Sequence, residues 1–116
     1  MTELDAEDNK LVVLARGALG RTGGTTGAAI RDTDGRTYAA GEVALQALRL
    51  TALQAAVAAA ISSGAEGFEA AVVVGAKFSD AGVSAVREVS SAARIVFADR
   101  DGAVFDIIDD AEVHGG

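Results

Sequence analysis

The sequence contains no cysteine. This absence excludes disulfides, a thiolate nucleophile and a zinc site with cysteine ligands, and it leaves the redox compartment unmarked. Aromatic residues are also scarce, with four phenylalanines and one tyrosine among 116 residues. The core must therefore be built from Ala, Val, Leu and Ile, whose small side chains allow helices and strands to approach closely.

Positive charge is scarce as well. The formal net charge is −7 and the arginines stand singly along the chain. Phosphate binding relies on clustered Lys and Arg, so no nucleic-acid partner is predicted. The acidic start MTELDAEDNK is unlike a signal peptide and predicts a cytoplasmic protein. Residues 43–61 approach the length of a membrane span, but Gln46, Arg49 and Gln54 interrupt them, so no membrane partner is predicted either.

The remaining pattern predicts a single domain over residues 1–116, with flexible ends at 1–7 and 109–116. Apolar spacing predicts a first helix over residues 5–20. The segments TGAAIRDT and RTYAA read as two antiparallel strands joined by Asp34-Gly35, the commonest two-residue hairpin turn. A second helix is predicted from about residue 42 to 63, with too few polar residues to expose a face, and hence buried nearly all round.

The second half of the chain also reads as strands and helices in alternation. The apolar run FEAAVVVGA predicts a central strand covered on both faces. SDAGVSAVREVSS predicts a third helix with Ser79 as its candidate N-cap, and RIVFAD and AVFDIID predict two strands joined around Asp101-Gly102. The order α-β-β-α-β-α-β-β predicts a three-layer α/β/α sandwich with a mixed five-stranded sheet.

This order resembles the small, homotetrameric, zinc-dependent cytidine deaminases. In that family a VGAAL strand leads through a DG turn to a Tyr and a Gly, then to a helix that begins with Cys-Ala-Glu, and then to an FxAIAVV strand. The scaffold motifs fall here in family order over roughly residues 8 to 105: Gly27-Ala28-Ala29, Asp34-Gly35, Tyr38, Ser62-x-Gly64 and Phe68-x-Ala70.

The catalytic half of the resemblance is missing. The family's Cys-Ala-Glu falls on Thr51-Ala52-Leu53, so a hydroxyl stands in place of a zinc thiolate, and the isobutyl group of Leu53 stands in place of the proton-shuttling carboxylate. The second motif, Pro-Cys-x-x-Cys, falls on residues 80–84 and places Ala81 and Ser84 at the cysteine positions. Deamination of this kind needs zinc to activate water and a Glu to move protons, so the expectation is no metal, no cofactor and no enzyme activity.

The family's nucleoside pocket is also altered. Its PYSxFxVGAA motif appears here as GRTGGTTGAA, with Gly24 where the base-stacking Phe stands. Of the family's ribose-binding Asn-x-Glu motif, only the Glu is matched, by Glu42, because Ala40 falls on the Asn. Glu42 is therefore a weak ligand-binding candidate. In the family the second helix lies at the centre of the tetramer, so the resemblance implies a homotetramer or homodimer.

Other sites stay open beside these. The Gly-rich stretch GALGRTGGTTG is either a connecting loop or a relic ligand loop, and it lacks the Gly-Lys-Ser/Thr ending of a phosphate loop. DTDGRTY is either a hairpin turn or an incomplete calcium loop. The acidic tail with His114 is either a solvated end or a weak metal site. Thr51 and Ser84 form either structural hydrogen bonds or a new hydroxyl pair.

Three function classes follow. The sequence favours a catalytically inactive, cytidine deaminase-like protein with a structural, regulatory or interaction role, self-associating or bound to an unknown protein partner. The alternative is a module that binds a nucleoside or another small molecule in the relic pocket. The third is a deaminase-type hydrolase with an altered metal site using Asp80 and Ser84, which Leu53 disfavours.

Overall fold

A mixed β-sheet forms the scaffold of the molecule. The computed structural model describes residues 4–76 and 80–109. Within these ranges the helices are α1 (Ala6–Thr22), α2 (Ala52–Ser62) and α3 (Gly82–Val89). The strands are β1 (Gly27–Asp32), β2 (Thr37–Gly41), β3 (Val43–Ala44), β4 (Arg49–Leu50), β5 (Phe68–Val74), β6 (Arg94–Ala98) and β7 (Val104–Ile108).

Five of these strands form the predicted mixed sheet, in the order β2-β1-β5-β6-β7. β5 and β6 run parallel, and the other neighbouring strands of this sheet pair antiparallel. The predicted hairpin is confirmed, because β1 and β2 pair around Asp34-Gly35 and Gly35 takes the left-handed φ of 86° that such a turn requires. β5 lies at the centre, as its apolar sequence predicted.

Helices cover both faces of the sheet. Leu11 of α1 shares one buried cluster with Val72 of β5. Leu53 of α2 and Val86 of α3 share a second cluster with Val73. Because successive strand residues point to opposite faces, the run of valines in β5 serves both clusters. The three-layer α/β/α sandwich is confirmed.

Helix α1 has well-defined ends. The Asp5 carboxylate accepts a hydrogen bond from the backbone N–H of Asp8 at 2.8 Å, which caps the first turn. Gly23 ends the helix in the left-handed region, with φ of 68°. The helix ends at Thr22, two residues beyond the predicted end at Gly20. Of the segment 1–7 that the sequence predicts to be flexible, residues 5–7 form the cap and first turn of α1, while residues 1–3 lie outside the described ranges.

Helix α2 is shorter than predicted. It begins at Ala52 and not near residue 42, because Thr51 and Gln54 form a capping box that starts the helix there. Residues 43–50 instead form the β3–β4 hairpin, closed by a hydrogen bond from Leu45 N–H to Leu48 O at 2.9 Å. Helix-forming residue types in this segment are overridden by the hairpin's backbone pairing, since propensity is a weak prior.

The prediction that α2 is buried nearly all round does not hold in the single chain. Leu53 and Ala56 are fully buried against the sheet, with no exposed area. On the other side Ala58 and Ala59 are exposed, and Ile61 keeps 44% of its surface accessible. The helix thus has an inner face packed on the sheet and an outer face of small apolar residues.

Helix α3 begins later than the predicted segment. Ala81 occupies its N-cap position and makes no side-chain capping bond, and Ser79, the predicted cap, lies outside the described residues. Of the three valines on this helix, Val86 is buried, Val83 is partly buried and Val89 is exposed.

The end of the chain is described as far as Asp109, whose Oδ2 lies 3.8 Å from Nε of Arg94. Residues 110–116 of the predicted flexible tail, including His114, lie outside the described ranges. Among the helices that the structure describes, none is long and apolar enough to cross a membrane.

The burial of Leu53 is testable by substitution. Leu53→Glu places an unpaired carboxylate in a site with no exposed area, which we expect to lower the free energy of unfolding by about 3 kcal/mol or more. Leu53→Met keeps the volume and should cost less than about 1.5 kcal/mol. Urea denaturation of both variants measures the difference, and equal stabilities would contradict the packing of α2 described above.

Candidate functional site

A pocket of about 550 Å³ lies where the first turns of α2 and α3 meet the loop before β1 and the β3–β4 hairpin. Small-molecule sites commonly enclose about 300 to 1,000 Å³, so a ligand of moderate size fits. Its lining includes three threonines, two carboxylates and one guanidinium, those of Thr25, Thr26, Thr51, Glu42, Asp80 and Arg49.

Thr51 lines the pocket and caps α2. Its Oγ1 accepts a hydrogen bond from the backbone N–H of Gln54 at 3.1 Å, and Oε1 of Gln54 accepts one from the backbone N–H of Thr51 at 2.9 Å. This reciprocal capping box satisfies two of the backbone donors that every helix start leaves unpaired. Position 51 therefore has a helix-capping role that a cysteine, a weak hydrogen-bond acceptor, would fill poorly.

The proton of the Thr51 hydroxyl is donated to Asp80. Oδ1 of Asp80 accepts this hydrogen bond and a second one from the backbone N–H of Gly82, at 2.7 Å. The residue is 8% exposed and forms part of the pocket lining. Sequence patterns do not predict this pair, because 29 positions separate its members and no local pattern joins them.

Gly82 brings the two helices close enough for this contact. A Cβ atom at position 82 would lie 2.7 Å from the backbone nitrogen of Gln54 and 2.7 Å from Cβ of Leu53. These distances are shorter than real Cβ contacts, so the start of α3 can rest on the start of α2 only with glycine there. The glycine thereby places Asp80 beside Thr51.

Glu42 is fixed on the other side of the pocket. Its Oε1 accepts hydrogen bonds from the backbone N–H groups of Thr25 and Thr26 at 2.9 and 2.8 Å, and from both hydroxyls at 3.2 and 2.8 Å. The hydrogen bonds from Thr26 and then those from Thr25 outweigh desolvation and lower the pKa of the Glu42 carboxyl group. Glu42, the weak sequence candidate, is thus a pre-oriented carboxylate of the pocket.

The other positions singled out by the resemblance are spread around this pocket. Ala81 lines it, whereas Leu53 lies buried beneath it in the core and is not a lining residue. Ser84 is exposed on α3 and is not part of the lining either. The Thr51 hydroxyl is therefore bonded to the Asp80 carboxylate. Ser84, its partner in the hydroxyl pair considered from the sequence, is exposed outside the pocket lining.

These residues do not fit a zinc ion of the cytidine deaminase type. Such a site needs three side-chain ligands of the His, Cys or carboxylate kind. The corresponding positions supply the Thr51 hydroxyl, already bonded to Asp80, the Ala81 methyl group and the exposed Ser84 hydroxyl. Within residues 4–76 and 80–109, no three His, Cys, Asp or Glu residues are grouped as metal ligands would be.

Internal hydrogen bonds occupy polar groups in both of the loops that the sequence left open. In the Gly-rich loop the amides of Thr25 and Thr26 bind the Glu42 carboxylate, so the chain supplies its own anion there. In DTDGRTY the buried Asp32 carboxylate accepts hydrogen bonds from the backbone of Asp34 and Arg36, which is the bonding of a hairpin turn.

Comparison with known proteins agrees with this architecture. A family model described as cytidine deaminase-like matches residues 4–102. No curated protein gives a match to the chain.

Solved structures of cytidine deaminases share the fold. The enzyme from Burkholderia pseudomallei superposes with a TM-score of 0.72 at 22% identity, covering 97% of this chain and 96% of its own. The one from Mycobacterium tuberculosis gives 0.64 at 24% identity, covering 82% and 85%. The one from Mycobacterium leprae gives 0.62 at 16% identity, covering 98% and 100%.

These findings correct one expectation from the sequence. The absence of the catalytic motifs predicted that the chain is not an enzyme. The matching family and the deaminase structures point to an enzyme, so that prediction is wrong. That prediction considered only the zinc ligands and the proton-shuttling Glu of the known mechanism. The pocket also contains the carboxylates of Glu42 and Asp80, which belong to neither set.

The Glu42 hydrogen bonds predict a pH-dependent stability. Because the folded-state pKa of Glu42 is lowered, its contribution is present above the ordinary value of about 4.5 and is lost as the pH falls toward the folded-state pKa. We expect Glu42→Gln to lower Tm by roughly 2 to 5 °C at pH 7, and the difference from the wild type to shrink below pH 4.5. Thermal unfolding across pH measures this. Glu88→Gln, at an exposed carboxylate of α3, is the control, and a Glu42 effect independent of pH would contradict the assignment.

Proposed function

Because the chain belongs to the cytidine deaminase-like family, we propose that its pocket binds a small molecule of the nucleoside class. The observation that carries the proposal is a pocket of about 550 Å³ whose two carboxylates are held in place by the chain's own hydrogen bonds. Pre-oriented polar groups reduce the entropy lost when a ligand binds.

Glu42 supports recognition of a sugar. Its Oε1 atom is saturated by Thr25 and Thr26, but Oε2 accepts one hydrogen bond, from the Thr25 hydroxyl at 3.3 Å. An ionised carboxylate has about four lone-pair positions, so Oε2 retains capacity for a ligand hydroxyl. Glu42 is also the residue that corresponds, in the resemblance, to the family's ribose-binding Glu.

The charges of the pocket favour a nucleoside over a nucleotide. Two carboxylates, Glu42 and Asp80, face one guanidinium, that of Arg49, within the lining. This excess of negative charge opposes a phosphate group, because like charges in a partly desolvated site repel.

Ligand titration tests this function. We expect cytidine, deoxycytidine or uridine to raise Tm saturably, with about 2.7 kcal/mol of added stability at 100 times Kd, and the corresponding phosphates to act more weakly. Added zinc should leave the response unchanged, since the lining does not supply its ligands. Chromatography of the same mixtures detects any deaminated product, so binding and turnover are measured separately.

Two matched variants test whether nucleosides bind in this pocket. Glu42→Gln should weaken nucleoside binding about tenfold, because a charged acceptor becomes a neutral amide. Asp106→Asn changes an exposed carboxylate of β7 outside the pocket lining and should bind as the wild type does. A flat response of the wild type to every nucleoside would refute the proposal.

A second proposal concerns assembly: the outer face of α2 mediates self-association into a homodimer or homotetramer. Ala58, Ala59 and Ile61 are exposed in the single chain and form an apolar surface on this face. Small residues allow helices of different subunits to approach closely, and symmetric self-association is the commonest oligomeric arrangement.

Sedimentation velocity tests the assembly. The wild type should sediment as a dimer or tetramer, and Ala59→Arg should shift it to the monomer by placing a charge in the contact. Val13→Arg, at a position 68% exposed on α1, is the control and should leave the assembly intact. A monomeric wild type, or an oligomer that tolerates Ala59→Arg and not Val13→Arg, would contradict this surface.

A further inference from the structure

Among the described residues, the hydroxyl groups that line the pocket have no free protons. A threonine hydroxyl carries a single proton. Thr26 donates it to Oε1 of Glu42 at 2.8 Å, Thr25 shares it between the two oxygens of Glu42 at 3.2 and 3.3 Å, and Thr51 donates it to Oδ1 of Asp80. The three hydroxyls therefore offer a ligand only acceptor lone pairs, and this part of the wall is rich in acceptors.

Asp80 is the most sharply positioned of these acceptors. Its Oδ1 is held by the Thr51 hydroxyl and by the backbone N–H of Gly82, so the side chain is fixed in a single orientation. Within the part of the chain that the structure describes, Oδ2 receives no hydrogen bond. Asp80 is 8% exposed and belongs to the pocket lining, so Oδ2 is open to a hydrogen bond from a ligand in the pocket.

We propose that Asp80 determines ligand specificity, its Oδ2 accepting a hydrogen bond from an N–H group on the ring edge of the ligand. This inference rests on the proposed nucleoside-binding function. A ring edge without an N–H would displace water from this fixed carboxylate oxygen and leave it unpaired, and a carbonyl would oppose it with a second acceptor. A buried polar group without its partner lowers affinity by roughly 10- to 100-fold.

Two probes isolate this contact. Cytidine carries a 4-amino group, whereas pyrimidin-2-one riboside has the same sugar and ring without that group and with no N–H on that edge. We expect isothermal titration calorimetry of the full chain to give a Kd about 10- to 100-fold lower for cytidine than for pyrimidin-2-one riboside.

The Asp80→Asn variant should abolish or reverse this ratio. The amide oxygen can keep the hydrogen bonds from Thr51 and Gly82, so the amide nitrogen, a donor, takes the place of Oδ2. The 4-amino group of cytidine would then oppose this amide as donor against donor, whereas pyrimidin-2-one riboside has no N–H there, so it should bind at least as tightly as cytidine. Asp106→Asn is the matched control on β7 and should retain the wild-type ratio.

A ligand series keeps the test valid if Asp80→Asn fails to fold. On the wild type, N4-methylcytidine retains one N–H and N4,N4-dimethylcytidine has none, so binding should persist with the first and fall at least tenfold with the second. Equal affinity of the wild type for cytidine and pyrimidin-2-one riboside overturns the role of Asp80 while leaving nucleoside binding intact. Failure of every probe to bind overturns the proposed function together with this inference.

Discussion

The close contact between the starts of α2 and α3 is the constraint on which the pocket depends. Gly82 has no side chain, so its backbone rests against Leu53 and Gln54 at distances that a Cβ atom would not allow. The contact holds Leu53 in the core below and brings Asp80 beside Thr51 above. One glycine thus links the packing of the helices to the arrangement of the polar groups.

The polar groups of the pocket satisfy one another in two small networks. The Thr51 hydroxyl and the Gly82 amide hold Asp80, and Thr25 and Thr26 hold Glu42. Polar groups that are partly removed from water must be hydrogen-bonded, and here the chain supplies the bonds itself. The family points to an enzyme while the donor set does not fit zinc, so the described lining offers the chemistry of carboxylates, hydroxyls, a guanidinium and the Gln54 amide.

Local patterns predicted most of the fold. The apolar run of β5, the turn at Asp34-Gly35 and the spacing in α1 each express a preference of neighbouring residues, and each is found where expected. The prediction failed at residues 43–50, where residue types common in helices form the β3–β4 hairpin. The capping box at Thr51 was readable in the sequence, but the apolar segment before it favoured a longer helix.

The sequence by itself determined most of the helices and strands and the kinds of side chain available for chemistry, among which there is no cysteine thiol. It also pointed to Glu42. Only the tertiary structure decided that Asp80 meets Thr51 and that Glu42 meets the loop before β1, because these contacts join residues 29 and 16 or 17 positions apart. The first pair forms because α2 and α3 pack together, and the second because β1 pairs with β2. Periodicity, which compares only near neighbours, carries no information about either pair.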